Sequence, residues 1–158
     1  MGKPQSNNKA MLGDLHHLSL LVNDVEKTAA TLEKLGAGPF VIRPYEAPPS
    51  KATVRGMPQG YKLKFADGRI GPLSLELVQP IEGDSVLVDF LREQGEGFHH
   101  LAFSCPPPID DELAKWHAIG IEPLQVDKSI SDDPRYGWAY LDTEELLGCI
   151  LEIVCLPP

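Results

Sequence analysis

The chain has 158 residues, which is the size of one compact domain. Its net charge of −9 at pH 7 excludes the basic surface that a nucleic-acid binder needs, and it disfavours binding to an anionic membrane. No apolar run approaches the roughly 20 residues that span a bilayer. The polar residues 1–13 predict a disordered N-terminal arm without a signal peptide, so we expect a single cytoplasmic domain over 14–158.

The three cysteines, Cys105, Cys149 and Cys155, predict neither a disulfide framework nor a cysteine-based zinc site. Their number is odd, and no two of them have the CxxC spacing that is typical of such sites. Cys149 and Cys155 fall in a predicted strand, where we expect them to be buried and inert.

The first half of the chain predicts a strand, a helix and three further strands. Alternating apolar residues predict a strand over 17–22, and Asn23 is a good N-cap for the helix that follows. Val25, Ala29 and Leu32 recur at helical spacing, and this helix should end before Gly36. The pattern then predicts a short strand over 40–43, a loop over 46–58, a strand over 61–65, a turn at 67–68 and a strand over 73–78.

The second half repeats this order after a linker over 81–96 that contains a short helix. Its predicted elements are a strand over 98–104, a helix over 109–119, and strands over 124–126, 138–141 and 149–155. The sequence repeats as well, because HLSL in the first half matches HLAF in the second, and LELV matches LEIV. A duplicated βαβββ module explains both observations, with module one over 14–80 and module two over 97–156.

Each half opens with a histidine on its first strand and closes with a glutamate on its last, which selects His17, Glu76, His100 and Glu152. Titratable groups inside apolar strands are costly unless they are paired or bound to a metal. Two imidazoles and two carboxylates can hold one divalent ion of zinc, nickel, cobalt, manganese or iron. A single strand histidine is more often a structural core residue, but the repeated pattern favours a metal site.

Each histidine is part of a doublet, and the two rings of a doublet should point to opposite faces of its strand. The match in apolar context favours the second ring of each doublet. The small residues Ser19 and Ala102, two positions after these histidines, leave room for an ion and a substrate.

The segments that carry a resemblance to a known family are HHLSLLVNDVEKTAATLEKLG, LELVQP, GEGFHHLAFSC and GCILEIV. Through these segments, residues 14–156 resemble the vicinal oxygen chelate superfamily. Within this superfamily, the motifs are most similar to those of methylmalonyl-CoA epimerases and related glyoxalase-like proteins. The resemblance implies an α+β fold in which two tandem βαβββ modules form a curled mixed sheet with a metal-binding cleft. The implied metal ligands, from the first and last strands of each module, are His17, Glu76, His100 and Glu152.

The resemblance also implies an activity. It indicates a metal-dependent isomerase, epimerase or lyase that removes a proton next to a chelated carbonyl, with Glu76 or Glu152 as the base. The substrate would be a small carbonyl compound or an acyl-CoA thioester, hydrogen-bonded by Tyr136 or Tyr140, and a homodimer is expected. The alternatives are an extradiol-type iron dioxygenase and a non-catalytic protein that sequesters small molecules in the same cleft.

Two departures from related families narrow the activity. Methylmalonyl-CoA epimerases share a PE-x-G-V segment whose glutamate is an acid/base, whereas this chain has Gln59 there, and glutamine cannot move a proton. Bacterial glutathione-dependent glyoxalases share an arginine and an asparagine at the positions of Leu21 and Pro80, which counts against glutathione.

Overall fold

A computed structural model describes residues 11–158, so the first ten residues of the predicted disordered arm lie outside the described residues. No helix in this range is long and apolar enough to cross a membrane. The elements in chain order are β1 (Leu15–Leu21), α1 (Val25–Lys34), β2 (Val41–Ala47), β3 (Ala52–Val54), β4 (Met57–Pro58), β5 (Tyr61–Ile70), β6 (Leu73–Glu82), α2 (Val86–Gln94), β7 (Gly97–Ser104), α3 (Ile109–Ala118), β8 (Pro123–Asp127), β9 (Gly137–Leu141), α4 (Glu144–Leu147) and β10 (Ile150–Cys155).

All strands belong to one ten-stranded mixed sheet with the order β2-β5-β6-β1-β7-β10-β9-β8-β3-β4. The first strands of the two halves, β1 and β7, pair antiparallel at its centre. Each of them pairs in parallel with the last strand of its own half, β1 with β6 and β7 with β10. The curled mixed sheet built from two βαβββ halves is therefore confirmed.

Helices α1 and α3 cover one face of the sheet, whereas Val86 and Leu87 of α2 pack with Ile150 and Val154 on the other face. Val25 and Ala29 of α1 pack with Leu75 and Leu77 of β6, which point away from the face of Glu76. The second half repeats this arrangement, because α3 packs on residues of β10 that alternate with Glu152. The candidate quartet therefore faces the concave side, opposite α1 and α3.

The start of α1 differs from the prediction by one residue. Asp24, not Asn23, is the N-cap, and its carboxylate accepts a hydrogen bond of 2.9 Å from the Lys27 amide. The predicted end of the helix before Gly36 is confirmed, because α1 ends at Lys34.

The predicted turn at 67–68 is wrong, because β5 continues to Ile70 and the hairpin turns at Gly71 and Pro72. Gly68 is a packing residue instead. A Cβ atom at this position would lie 2.5 Å from Cδ1 of Phe40, so the aromatic ring occupies the space that a side chain would need.

The predicted loop over 46–58 contains two short strands, β3 and β4. Strand β3 pairs with β8 of the second half, with Thr53 opposite Val126. The proline-rich composition hid these strands, which are only three and two residues long.

The expectation of no disulfide is also wrong, because Cys105 and Cys155 are bonded with their Cα atoms 5.0 Å apart. The parallel pairing of β7 with β10 places Val154 opposite Ser104, and so it brings the next two residues together. Cys149 is a free thiol that is partly exposed.

Candidate metal centre

The four residues of the quartet lie in two short rows across the central strands. One row runs from His17 through Ala102 to Glu152, and the other runs from His100 through Ser19 to Glu76. Each row thus places a small buried residue between a histidine and a glutamate. This is the arrangement that the repeat predicts, and it directs all four side chains to one point.

The structure brings the polar atoms of the quartet into contact. The Nε2 atoms of His17 and His100 lie 3.1 Å apart. Glu152 Oε2 lies 3.2 Å from Nε2 of His17 and 3.0 Å from Nε2 of His100. Glu76 Oε1 is more distant, at 3.5 Å and 3.9 Å from the same two atoms.

These contacts fit a bound divalent ion. Two donors that each lie about 2.1 Å from one ion are about 3.0–3.4 Å apart when they occupy adjacent coordination positions. The separations around Glu152 Oε2 lie in or next to this range, and this buried oxygen has no partner with hydrogen-bonding geometry within residues 11–158. Ligand atoms of His17, Glu76 and His100 also lie within 4.8 Å of one another.

In the metal-free quartet, His17 is protonated and Glu152 is ionised at neutral pH. Burial disfavours the charged form of His17, but close contact with the negative charges of Glu152 and Glu76 outweighs it and raises the pKa of His17 to about 10. Burial disfavours the Glu152 carboxylate as well, but His100 and His17 outweigh it and lower its pKa to about 2. A metal ion must therefore displace a proton from His17.

The first histidine of each doublet contacts the second, contrary to the prediction that the two rings lie on opposite faces. A β-bulge makes His16 the extra residue of β1 in its pairing with β7, and a second bulge does the same for His99 in β7. As a result, Nδ1 of each first histidine lies 2.8 Å from Nδ1 of the second. Since a metal on Nε2 requires a proton on Nδ1, His16 and His99 are placed to accept that proton in a hydrogen bond.

The first histidines of the two doublets, His99 and His16, favour the neutral form of the ring. His99 is buried, and its pKa is lowered well below the usual value by burial and by the neighbouring His100. Burial also lowers the pKa of His16, with a smaller effect of His17. Sequence reasoning named both residues but gave them no role, because the bulges that turn them inwards leave no signal in the residue pattern.

A cavity of about 150 Å³ opens above the quartet. Tyr140 lines it and is buried, and burial followed by the charge of Glu152 raises its pKa above the usual value. Tyr136 does not line this cavity, because its ring lies beside the Arg135 guanidinium in the loop before β9. Sequence reasoning gave no site role to the other lining residues, which are His16, Arg43, Tyr45, Phe65, Ile130, Trp138, Val154 and Leu156.

A larger cavity of about 450 Å³ lies elsewhere, between the segment that contains β3 and helix α3. Its two lysines are already paired, Lys51 with Asp132 at 3.3 Å and Lys128 with Asp110 at 2.7 Å. Chemistry therefore favours the smaller cavity, which His17, Glu76 and Glu152 of the quartet line.

Comparisons with known proteins establish the family. Residues 16–138 match the Glyoxalase/Bleomycin resistance protein/Dioxygenase superfamily. The chain belongs to this superfamily. A curated relative, "Uncharacterized protein YqjC" of Bacillus subtilis (strain 168), is 41% identical over 101 residues, which are 61% of this chain and 66% of the relative. The match thus spans just under two thirds of the relative's length.

Solved structures show the superfamily fold at low identity. Methylmalonyl-CoA epimerase from Mycobacterium tuberculosis is 16% identical with a TM-score of 0.64, over 95% of this chain and 92% of that chain. A Streptomyces coelicolor methylmalonyl-CoA epimerase variant in complex with 2-nitronate-propionyl-CoA is 19% identical with a TM-score of 0.59, over 93% of this chain and 99% of that chain. At these identities, the likeness shows a shared fold and leaves the reaction open.

Proposed function

We propose that this protein is a divalent-metal-dependent isomerase, epimerase or lyase that removes a proton next to the carbonyl of a small carbonyl compound or an acyl-CoA thioester. The observation that carries this proposal is the convergence of His17, His100, Glu76 and Glu152 in the concave face of the sheet, beside a cavity that His17, Glu76 and Glu152 line. A bound divalent cation supplies Lewis-acid polarisation of a carbonyl, which acidifies the adjacent C–H bond.

The two carboxylates differ in a way that assigns them different roles. Glu152 contacts both imidazoles at 3.2 Å or less, and its side chain is only 6% exposed, which suits a fixed ligand. The Glu76 side chain is 13% exposed and lies further from the imidazoles. Its Oε1 accepts a hydrogen bond of 3.4 Å from the Ser19 hydroxyl. Glu76 is therefore the carboxylate that can turn to a substrate and accept its proton.

The proposal does not include methylmalonyl-CoA epimerase activity itself, although proteins with that name share the fold. Gln59 replaces the acidic residue that the motif of those enzymes contains, and its side chain donates a hydrogen bond of 2.8 Å to the Gly60 carbonyl. Proton return on the far side of the substrate must then come from another group or from water.

Hydrogen exchange tests the proposal. The metal-loaded protein is incubated in deuterated water with hydroxyketones and acyl-CoA thioesters, and deuterium next to the carbonyl is followed by NMR. The wild type should catalyse exchange, and Glu76→Gln should bind metal but lose about 100-fold or more of the exchange rate. If no compound exchanges faster with the wild type than with Glu76→Gln, the proposal is wrong.

One observation favours a second candidate function. The tight contacts involve only His17, His100 and Glu152, which is the pair of histidines and single carboxylate that iron-dependent oxygenases use. An extradiol-type dioxygenase would consume oxygen when the protein is loaded with ferrous iron and given catechols. The absence of oxygen consumption across a catechol panel would eliminate this candidate.

A further inference from the structure

Arg43 lies at the rim of the cavity that contains the quartet. Among the described residues that line this cavity, it is the only lysine or arginine, and it shares the cavity with the carboxylates of Glu76 and Glu152. A cation at this place stands out in a chain with a net charge of −9. Its side chain is 45% exposed, so a ligand can reach it from the cavity mouth.

The structure holds this guanidinium in a defined orientation. Arg43 Nε donates a hydrogen bond of 2.8 Å to Oδ2 of Asp67, and its guanidinium carbon lies 4.5 Å from the centre of the Phe65 ring. Neither terminal nitrogen donates to any of the described residues. An arginine that is fixed through Nε and stacked on an aromatic ring keeps its two terminal nitrogens for a planar, two-point bond to a carboxylate.

The strand register places this group close to the quartet. Asp67 is the direct cross-strand partner of Glu76, and Arg43 is paired with Phe65 on the next strand. Neighbouring strands are about 5 Å apart, so the guanidinium lies within about one to two strand spacings of the Glu76 side chain. A molecule of a few carbon atoms can span this distance.

We propose that Arg43 binds a carboxylate of the substrate, so that the site selects small carbonyl compounds that carry a negative charge next to the reacting part. This inference rests on the proposed function, since it uses the same cavity. Phe65, Trp138 and Val154 supply the apolar wall between the two polar ends. The cavity of about 150 Å³ suits a compact carboxylate, and the rest of a larger substrate would extend past the rim.

Calorimetric titration with simple dicarboxylates tests this inference. Zinc-loaded protein is titrated with malonate, succinate and glutarate, and with the dimethyl ester of the one that binds most tightly. The variants are Arg43→Gln and a control, Arg69→Gln, whose arginine bonds the Pro72 carbonyl and does not line the cavity. The best dicarboxylate should bind about tenfold more tightly to the wild type and to the control than to Arg43→Gln. The affinity of the dimethyl ester, which has no carboxylate, should be the same for all three proteins.

Equal affinity of the dicarboxylate for the wild type and Arg43→Gln overturns the inference, and so does the absence of dicarboxylate binding. Parallel titrations of metal-free protein separate the two proposals. If zinc binds but dicarboxylate affinity is independent of Arg43, the inference fails and the metal-site proposal stands. If zinc does not bind and Arg43-dependent carboxylate binding persists, the proposed metal-dependent function fails and the carboxylate site stands.

Discussion

The substitution His99→Phe tests whether the first histidine of a doublet supports the metal ligand that follows it. His99 is 1% exposed, and its Nδ1 lies 2.8 Å from Nδ1 of His100. Its Nε2 is buried without a hydrogen-bond partner, and its ring packs edge-on against Phe90 and Tyr140. A phenylalanine ring fits these surroundings but cannot accept the His100 proton.

The structure separates the effect on folding from the effect on metal binding. Within the His99–His100 pair, the wild type has one buried nitrogen without a partner among the described residues, on His99, and the variant has one as well, on His100. One hydrogen bond is lost, so the free energy of unfolding of the metal-free protein should fall by only about 1 kcal/mol. Metal affinity should fall by about 10-fold to 100-fold, because the ligand loses the group that fixes its orientation and proton.

Zinc affinity is measured by competition with a chromophoric chelator, and stability is measured by chemical denaturation in EDTA. His117→Phe is the matched control, since His117 is exposed on α3 and its hydrogen-bond partner among the described side chains is Glu122. Unchanged zinc affinity in His99→Phe would refute the role of the doublet. A large loss of stability with a proportionate loss of affinity would show that His99 acts only in folding.

Three further predictions concern the cysteines, the quartet and the sheet. Titration with a thiol reagent should find only Cys149 reactive in the unfolded, unreduced protein, and three thiols after reduction; three thiols without reduction would contradict the disulfide. Because His17 has a pKa of about 10 in the metal-free site, zinc binding must release its proton. The affinity for zinc should therefore rise about tenfold per pH unit between pH 6 and 8. A zinc affinity that does not change with pH would contradict the release of this proton. Gly68→Ala should destabilise the protein by about 1–3 kcal/mol in thermal unfolding, because its methyl group meets the Phe40 ring, and a neutral effect would show that the ring can move.

The same pKa shifts set the pH dependence of metal-free stability. The pKa of His17 is raised from 6.5, so its contribution is complete below pH 6.5 and is lost as the pH rises towards 10. The pKa of Glu152 is lowered from 4.5, so its contribution is complete above pH 4.5 and is lost as the pH falls towards 2. Between these limits both contributions are complete.

The sequence was sufficient to predict the fold and the residues that meet at the centre of the sheet. The repeat of a histidine on the first strand and a glutamate on the last strand carried this prediction, because equivalent strands of a duplicated module adopt equivalent positions. The register then brought His17, Glu76, His100 and Glu152 together. Their roles as ligands or base stay predictions, as do the homodimer and the cytoplasmic location.

Other features depend on tertiary contacts that local patterns do not encode. Position 68 is a glycine because the ring of Phe40, which is distant in sequence, fills the space that a side chain would need. A local turn rule reads this glycine as a turn and so misplaced the hairpin. The disulfide between Cys105 and Cys155 depends on the parallel pairing of two strands, which counting cysteines does not show. Arg43 reaches the cavity from the edge strand of the first half, where a single charged residue resembles any exposed residue.

The metal content of protein purified without a metal-affinity tag shows directly whether the quartet holds a divalent ion. Wild type is compared with His17→Ala and Glu152→Ala by elemental analysis, before and after incubation with zinc, nickel, cobalt, manganese and ferrous iron. We expect about one divalent ion per chain in the wild type and loss of that ion in both folded variants. A wild type that binds no ion after any incubation, or variants that bind as much as the wild type, would contradict it.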